Sequence, residues 1–257
     1  MDLKNLGKEW NVLGKSDPFW AVLTWPEKKG GKWKADEFFQ TGINEVSSIF
    51  GDLRKFNLEL AFGQAMDFGC GAGRLTQALA AIFDEVVGVD IAASMIETAD
   101  RYNQYPEKCR YFLNKGEQLE TFTDSSFDFV LSRLTLQHME PQYAKGYIQE
   151  FARILRPKGV LVFQLPSALK PQWKSLYERG IRGVVKKLFS KKLFNFYRKI
   201  RARLTRTPIM EMYGIEKNEV VSFLERLNFT IINVAEVGDA GPEWISNRYV
   251  AVKMGRD

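Results

Sequence analysis

The run Ala65-Met66-Asp67-Phe68-Gly69-Cys70-Gly71-Ala72-Gly73-Arg74 decides how the rest of this chain is read. It reads as a short buried strand that breaks into a glycine-rich turn. A helix then carries Leu75, Ala78, Leu79 and Ile82 on one face. Glycine has no Cβ, so such a turn takes backbone conformations closed to other residues and lets a ligand approach the main chain. The N–H groups opening the next helix have no intrahelical acceptor and point at whatever sits there. A nucleotide-like ligand is the expectation, and the glycine spacing decides which kind.

Dinucleotide binding requires G-x-G-x-x-G, whose third glycine lets the helix pack closely on the strand. Here the third glycine comes one residue early, giving G-x-G-x-G, and Arg74 stands where it belongs. An acid, Asp67, sits inside the first strand. The next strand, Glu85-Val86-Val87-Gly88-Val89, ends on Asp90, spaced to bind the two hydroxyls of a ribose. Further on come Phe127-Asp128-Phe129-Val130-Leu131-Ser132, then Leu134-Thr135-Leu136-Gln137-His138, and finally Leu155-Arg156-Pro157-Lys158-Gly159-Val160-Leu161-Val162-Phe163.

These four ordered motifs resemble the class I S-adenosylmethionine-dependent methyltransferases. Residues 127–132 resemble that family's fourth strand, and 155–163 its L-[RK]-P-G-G turn into strand 5, with Lys158 replacing one glycine. The resemblance implies S-adenosylmethionine as cofactor and S-adenosylhomocysteine as product. It places the turn of Gly69, Cys70, Gly71 and Gly73 under the methionine part of the cofactor. Asp67 then accepts from the amino group, directly or through water, unless it only caps the turn. Asp90 holds the ribose. Ile91 and Met95 flank the adenine, although simple packing explains Met95 equally well. Residues 114–119 resemble the adenine-contacting loop. Many members have an aspartate where this chain has Lys115, which moves the expected contact to Gly116 and Glu117. Ser132 offers its backbone carbonyl.

Length and composition set the bounds. A chain of 257 residues, 45% hydrophobic, can bury one large core with additions. No apolar run is long enough to span a bilayer, and Met1-Asp2-Leu3-Lys4 does not open a signal peptide. Cys70 and Cys109 read as reduced thiols of a cytoplasmic protein, not as a disulfide framework. One histidine and two distant cysteines form no metal-ligand cluster, so no metal is expected.

The chain divides into an N-terminal lid or extension (1–60), a cofactor-binding core (61–165 and 216–257) and a basic helical insertion (166–215) covering the substrate pocket. The extension is aromatic, with a helix expected over about 35–50 and Trp20, Phe39 and Gly42 as residues of interest near the cofactor. Most of its aromatics read as core packing. Strands are expected at 65–68, 86–89, 110–113, 127–132 and 160–165, with helices between them. The clearest helix carries Tyr143, Tyr147, Ile148, Phe151 and Leu155. A helix around 217–227 and strands at 230–237 and 248–253 follow. The fold class is therefore α/β: a doubly wound, mostly parallel seven-strand sheet with helices on both faces, an antiparallel last strand and a helical insertion between strands 5 and 6.

Charge is uneven. Residues 170–206 carry thirteen Lys or Arg and one acid, a net +12, whereas the remainder has 24 basic and 30 acidic residues, a net −6. Solvation of an outer face is the ordinary explanation. Two others are RNA phosphates, which would make this an RNA methyltransferase, and anionic lipid, which would place it peripherally at a membrane. The leading function is methyl transfer to an oxygen, or a nitrogen, of a small-molecule, glycan or lipid-linked acceptor. A cofactor-binding protein without turnover is the alternative from another class. The Asn/Asp-Pro-Pro-aromatic sequence of nucleobase amine methylation and the Pro-Cys of cytosine C5 chemistry are both missing. His138, shortly after strand 4, has a pKa range that suits a general base, and equally reads as a structural residue.

Overall fold

The computed structural model describes residues 1–171, 173 and 210–255. Its strands are β1 (Gln64–Phe68), β2 (Glu85–Asp90), β3 (Cys109–Leu113), β4 (Phe127–Ser132), β5 (Leu155–Leu169), β6 (Phe229–Val237) and β7 (Trp244–Lys253). They form one sheet in the order β3-β2-β1-β4-β5-β7-β6. β1 to β5 run parallel, and β7 lies antiparallel between β5 and β6. This is the doubly wound sheet expected from the sequence, with its antiparallel last strand. Its strand order reverses between β1 and β4, and a crevice opens there beyond the strands' carboxyl ends.

The central strands are apolar on both faces because both faces are covered. Alternation along each strand sorts the side chains into two cores. Met66, Phe68, Val130, Leu161 and Phe163 face one way, against α6 (Pro141–Ile154) and α7 (Lys217–Arg226). Ala65, Phe129, Leu131, Val160 and Val162 face the other way, against α3 (Ala35–Arg54) and α4 (Arg74–Leu79). Two helices, α1 (Leu3–Ser16) and α2 (Pro18–Val22), precede α3, and α5 (Ala93–Arg101) follows β2.

Several boundaries differ from the sequence reading. The helix after the glycine turn stops at Leu79, so Ile82 lies outside it, and all six of its residues are buried. α3 packs on it so closely that a Cβ on Gly42 would lie 2.2 Å from the Arg74 carbonyl oxygen. Leu155-Arg156-Pro157-Lys158-Gly159 is an irregularity inside β5, not a turn before it: Leu155 already pairs with Phe127, and regular pairing resumes at Val160. Lys158, standing where the family pattern has glycine, keeps the glycine-like backbone at φ +66°. β5 then runs on to Leu169 and β7 begins at Trp244, because the two pair from Val160–Val252 to Leu169–Trp244. The proposed insertion therefore begins inside β5, and its basic stretch 170–206 falls almost wholly outside the described residues. Among the described residues no helix is long and apolar enough to cross a membrane.

Candidate active site

The three turn glycines all adopt positive φ, at +78°, +53° and +81° for Gly69, Gly71 and Gly73. Each also has a neighbour in the place of its missing Cβ: Thr135 side-chain atoms from 2.1 Å at Gly69, Val22 Cγ2 at 2.7 Å at Gly71, and Tyr111 Oη at 2.5 Å at Gly73. The turn is pinned to β2, since Gly69 and Cys70 donate their N–H groups to the Val89 carbonyl at 2.7 and 3.0 Å. Gly71 donates to Asp90 Oδ2 and Ala92 to Asp90 Oδ1, both at 2.9 Å. One carboxylate thus fixes both the glycine turn and the entry to α5.

Asp67 is 1% exposed and accepts from Thr76 Oγ1 at 2.8 Å. Burial outweighs that bond and pushes its pKa up to about 7. Burial also raises Asp90, against the pull of the N–H groups it accepts. The Cys70 thiol is held well above its ordinary range by burial and by the two acids, which makes it unreactive as a nucleophile.

These groups line a cavity enclosing about 860 Å³ of space, open solvent at its mouth included. Asp67, Gly69, Cys70, Gly71, Asp90 and Ile91 lie along it, as does Asn114 from the segment after β3. Arg133, Leu134 and Thr135, following β4, form a facing wall, and Leu3, Leu6 and Trp10 of α1 with Val22 complete it. α1 is seated by close approach: a Cβ on Gly7 would lie 3.2 Å from Ile91 Cγ1, and one on Gly14 2.4 Å from Ser94 Oγ. Asn11 Oδ1 accepts from the Ser94 N–H at 3.0 Å, and Ser94 Oγ donates back to the Asn11 carbonyl at 3.1 Å.

The other predicted residues lie outside this lining. Gly73 packs on Tyr111. Met95 is fully buried with Ala21 and Ala92. Gly116 and Glu117 are exposed, and Tyr147 Oη donates to the Gly116 carbonyl. Ser132 is fully buried, its hydroxyl donating to the Phe68 carbonyl at 3.2 Å. Of the three extension residues of interest, Trp20 donates its indole N–H to the Trp25 carbonyl at 3.0 Å. Phe39 joins an aromatic cluster with Phe19 and Phe38, and Gly42 meets Arg74.

His138 lies outside the lining. A carbonyl can only accept, so Nδ1 carries the proton in its 3.1 Å contact with the Glu211 carbonyl oxygen. Nε2 then accepts from the Gln137 side-chain NH₂ at 3.2 Å. The ring meets Trp10 edge-on at 5.4 Å. Burial lowers its pKa despite the Glu211 contact. Both nitrogens of a neutral imidazole are engaged.

An ion-pair network that the sequence did not reveal backs the cavity. Glu45 of α3 accepts from Arg74 Nη2 at 2.6 Å and from Arg133 Nε at 2.5 Å, and Arg133 Nη1 donates to Asp239 at 2.6 Å. Burial opposes the charge on Glu45, but the two guanidiniums outweigh it and hold the carboxyl below its ordinary range. Arg74 Nε is buried with no hydrogen-bond partner among the described residues.

The methyltransferase domain family matches residues 66–163, from β1 through the first half of β5. Residues 66–163 thus form a methyltransferase domain, and the chain shares the fold of the class I S-adenosylmethionine-dependent methyltransferases. A ubiquinone biosynthesis O-methyltransferase of Xanthomonas oryzae is 28% identical over 130 residues, covering 50% of this chain and 53% of that protein. A demethylmenaquinone methyltransferase of Tropheryma whipplei is 29% identical over 134 residues, 49% of this chain and 53% of that one. The chain thus spans about half the length of the curated relatives it matches. Among solved structures, magnesium protoporphyrin IX methyltransferase of Synechocystis, with bound SAH, superposes with a TM-score of 0.64 at 18% identity, covering 98% of this chain and 100% of that one. That likeness extends the methyltransferase fold across both the N-terminal helices and the sheet.

Proposed function

We propose that this chain transfers a methyl group from S-adenosylmethionine to an oxygen, or a nitrogen, of a small-molecule acceptor. The observation that carries the reading is the convergence of Asp67, Gly69 and Gly71 of the glycine turn, and Asp90 on one cavity at the point where the sheet's strand order reverses. The donor set fits the cofactor. Each Asp90 oxygen accepts one backbone N–H and keeps a lone pair free for a ribose hydroxyl. Asp67 supplies an acceptor for an ammonium, and Arg74 Nε supplies a donor for a carboxylate.

When bound, S-adenosylmethionine supplies a methyl group made electrophilic by its sulfonium. The chain's own part is alignment and exclusion of water. Leu3, Leu6 and Trp10 shield the cavity, and Met139 and Tyr147 add apolar surface beside it. Relatives named for ubiquinone and menaquinone substrates support a small acceptor with an apolar body. His138, tied at both nitrogens, is assigned a structural part, so deprotonation falls to the acceptor's own acidity and to water.

Isothermal calorimetry with S-adenosylhomocysteine and NAD tests the reading. Binding of the first at micromolar concentration or better, with none of the second, is expected. Binding of NAD alone would end it. Labelled S-adenosylmethionine incubated with fractionated extract then finds the acceptor.

A further inference from the structure

Leu134 has a left-handed backbone, φ +57°, which a side chain with a Cβ adopts only when its surroundings impose it. It sits in the cavity wall, and its neighbour Thr135 fills the place of the missing Gly69 Cβ. The wall after β4 and the glycine turn therefore interlock at this point.

A buried acceptor for the Leu134 N–H lies one strand away. Gln164 of β5 is wholly buried, and its Oε1 accepts the Leu134 N–H at 3.1 Å. Its amide is fixed in that orientation, since Nε2 donates to Gln137 Oε1 at 3.1 Å and to Ser246 Oγ at 2.5 Å. A flipped amide would turn its NH₂ towards the Leu134 N–H, two donors facing each other. Gln137 in turn donates to His138, and its carbonyl accepts the Tyr213 N–H at 2.8 Å. The network has no solvent-facing member at its centre and does no chemistry, yet it ends on the cavity.

We propose that Gln164 is a positioning residue of the cofactor cavity, holding Leu134 in its left-handed conformation so that the 133–135 wall seats against the glycine turn. This rests on the methyltransferase reading, and the test separates the two. S-adenosylhomocysteine affinity is measured by calorimetry, per folded molecule, for the unaltered chain and for Gln164→Leu, Leu134→Gly, Leu134→Val and the Gln164→Leu/Leu134→Gly double variant. If the unaltered chain does not bind, the methyltransferase reading fails, whatever Gln164 does.

If it binds, Gln164→Leu should weaken affinity at least about tenfold, because Leu134 loses the acceptor that holds it. Glycine reaches positive φ unaided, so the double variant should return to within about threefold of Leu134→Gly alone. A double variant as weak as Gln164→Leu, beside a Leu134→Gly that binds normally, overturns the proposal. Should Gln164→Leu fail to fold, Leu134→Val decides alone. Its branched Cβ resists the left-handed region while keeping the residue apolar, so a roughly tenfold loss is expected. Unchanged affinity overturns the assignment.

Discussion

Asp90 accepts the Gly71 N–H at 2.9 Å, so the acid that closes β2 also holds the turn it was expected only to face. Its other oxygen accepts the Ala92 N–H at the same distance. From the sequence, a strand-end acid carries little packing, and its removal should cost cofactor affinity alone. The geometry adds a second cost. Asp90→Ala should lower S-adenosylhomocysteine affinity at least tenfold and also reduce unfolding free energy by about 1–3 kcal/mol, since two backbone donors lose their acceptor. Calorimetry and urea unfolding on one preparation measure both. Affinity loss without destabilisation would mean that the turn holds itself.

Asp67 makes the site pH-dependent. Its pKa rises from 3.8 to about 7 in the folded chain, chiefly through burial. Between those values the unfolded chain has released this proton and the folded chain keeps it, so stability falls as pH rises through the window and levels off above about 7. The size is roughly 4 kcal/mol for a shift of this order. Asp67→Asn should flatten that slope in unfolding curves taken from pH 4 to 7.5. A ligand ammonium favours the carboxylate, so S-adenosylhomocysteine binding near pH 6 should release up to one proton. The enthalpy will then vary with buffer ionisation heat, and Asp67→Asn should abolish the variation.

His138 donates to Glu211 and accepts from Gln137, and asparagine cannot span both contacts. His138→Asn should therefore lose about 1–3 kcal/mol of stability and keep most of its turnover per folded molecule. The folded pKa is lowered, so the stability supplied by the neutral ring is present above the ordinary value of 6.5 and lost as pH falls below it. A stable variant with turnover down by about 10²–10⁴ would make His138 the base instead.

The parts legible in the sequence are those governed by local rules. Three glycines at positive φ, an acid closing β2 and strands covered on both faces each leave a short-range signature, and the crevice between β1 and β4 follows from the strand order. The cavity's covering helix was legible in principle. Leu3, Leu6 and Trp10 recur at helical spacing, but Gly7 and Gly14 interrupt the pattern because α1 must approach Ile91 and Ser94 closely. The irregularity in β5 was hidden because Lys158 occupies a backbone conformation that its side chain does not advertise. Least legible were Gln164 and Glu45. Gln164 reaches Leu134 from 30 positions away and Glu45 reaches Arg133 across 88, separations at which no periodicity operates.

Glu45 shows what such a contact is worth. It joins Arg74 and Arg133, whose side chains are only 4% and 8% exposed. A buried ion pair contributes little net stability when complete, because desolvation cancels most of its attraction, but removing one partner strands the other's charge. Glu45→Ala strands the Arg74 guanidinium and leaves Arg133 only Asp239, and should cost about 3–5 kcal/mol in unfolding free energy. Glu45→Gln keeps one acceptor oxygen and should cost less. Replacing Glu45, Arg74 and Arg133 together by apolar residues of similar size should recover most of the stability while losing cofactor affinity, because both arginines line the cavity. Urea unfolding of the three variants, followed by S-adenosylhomocysteine calorimetry, distinguishes a network kept for stability from one kept for the ligand. Recovery of both in the triple variant would show that the arginines serve neither.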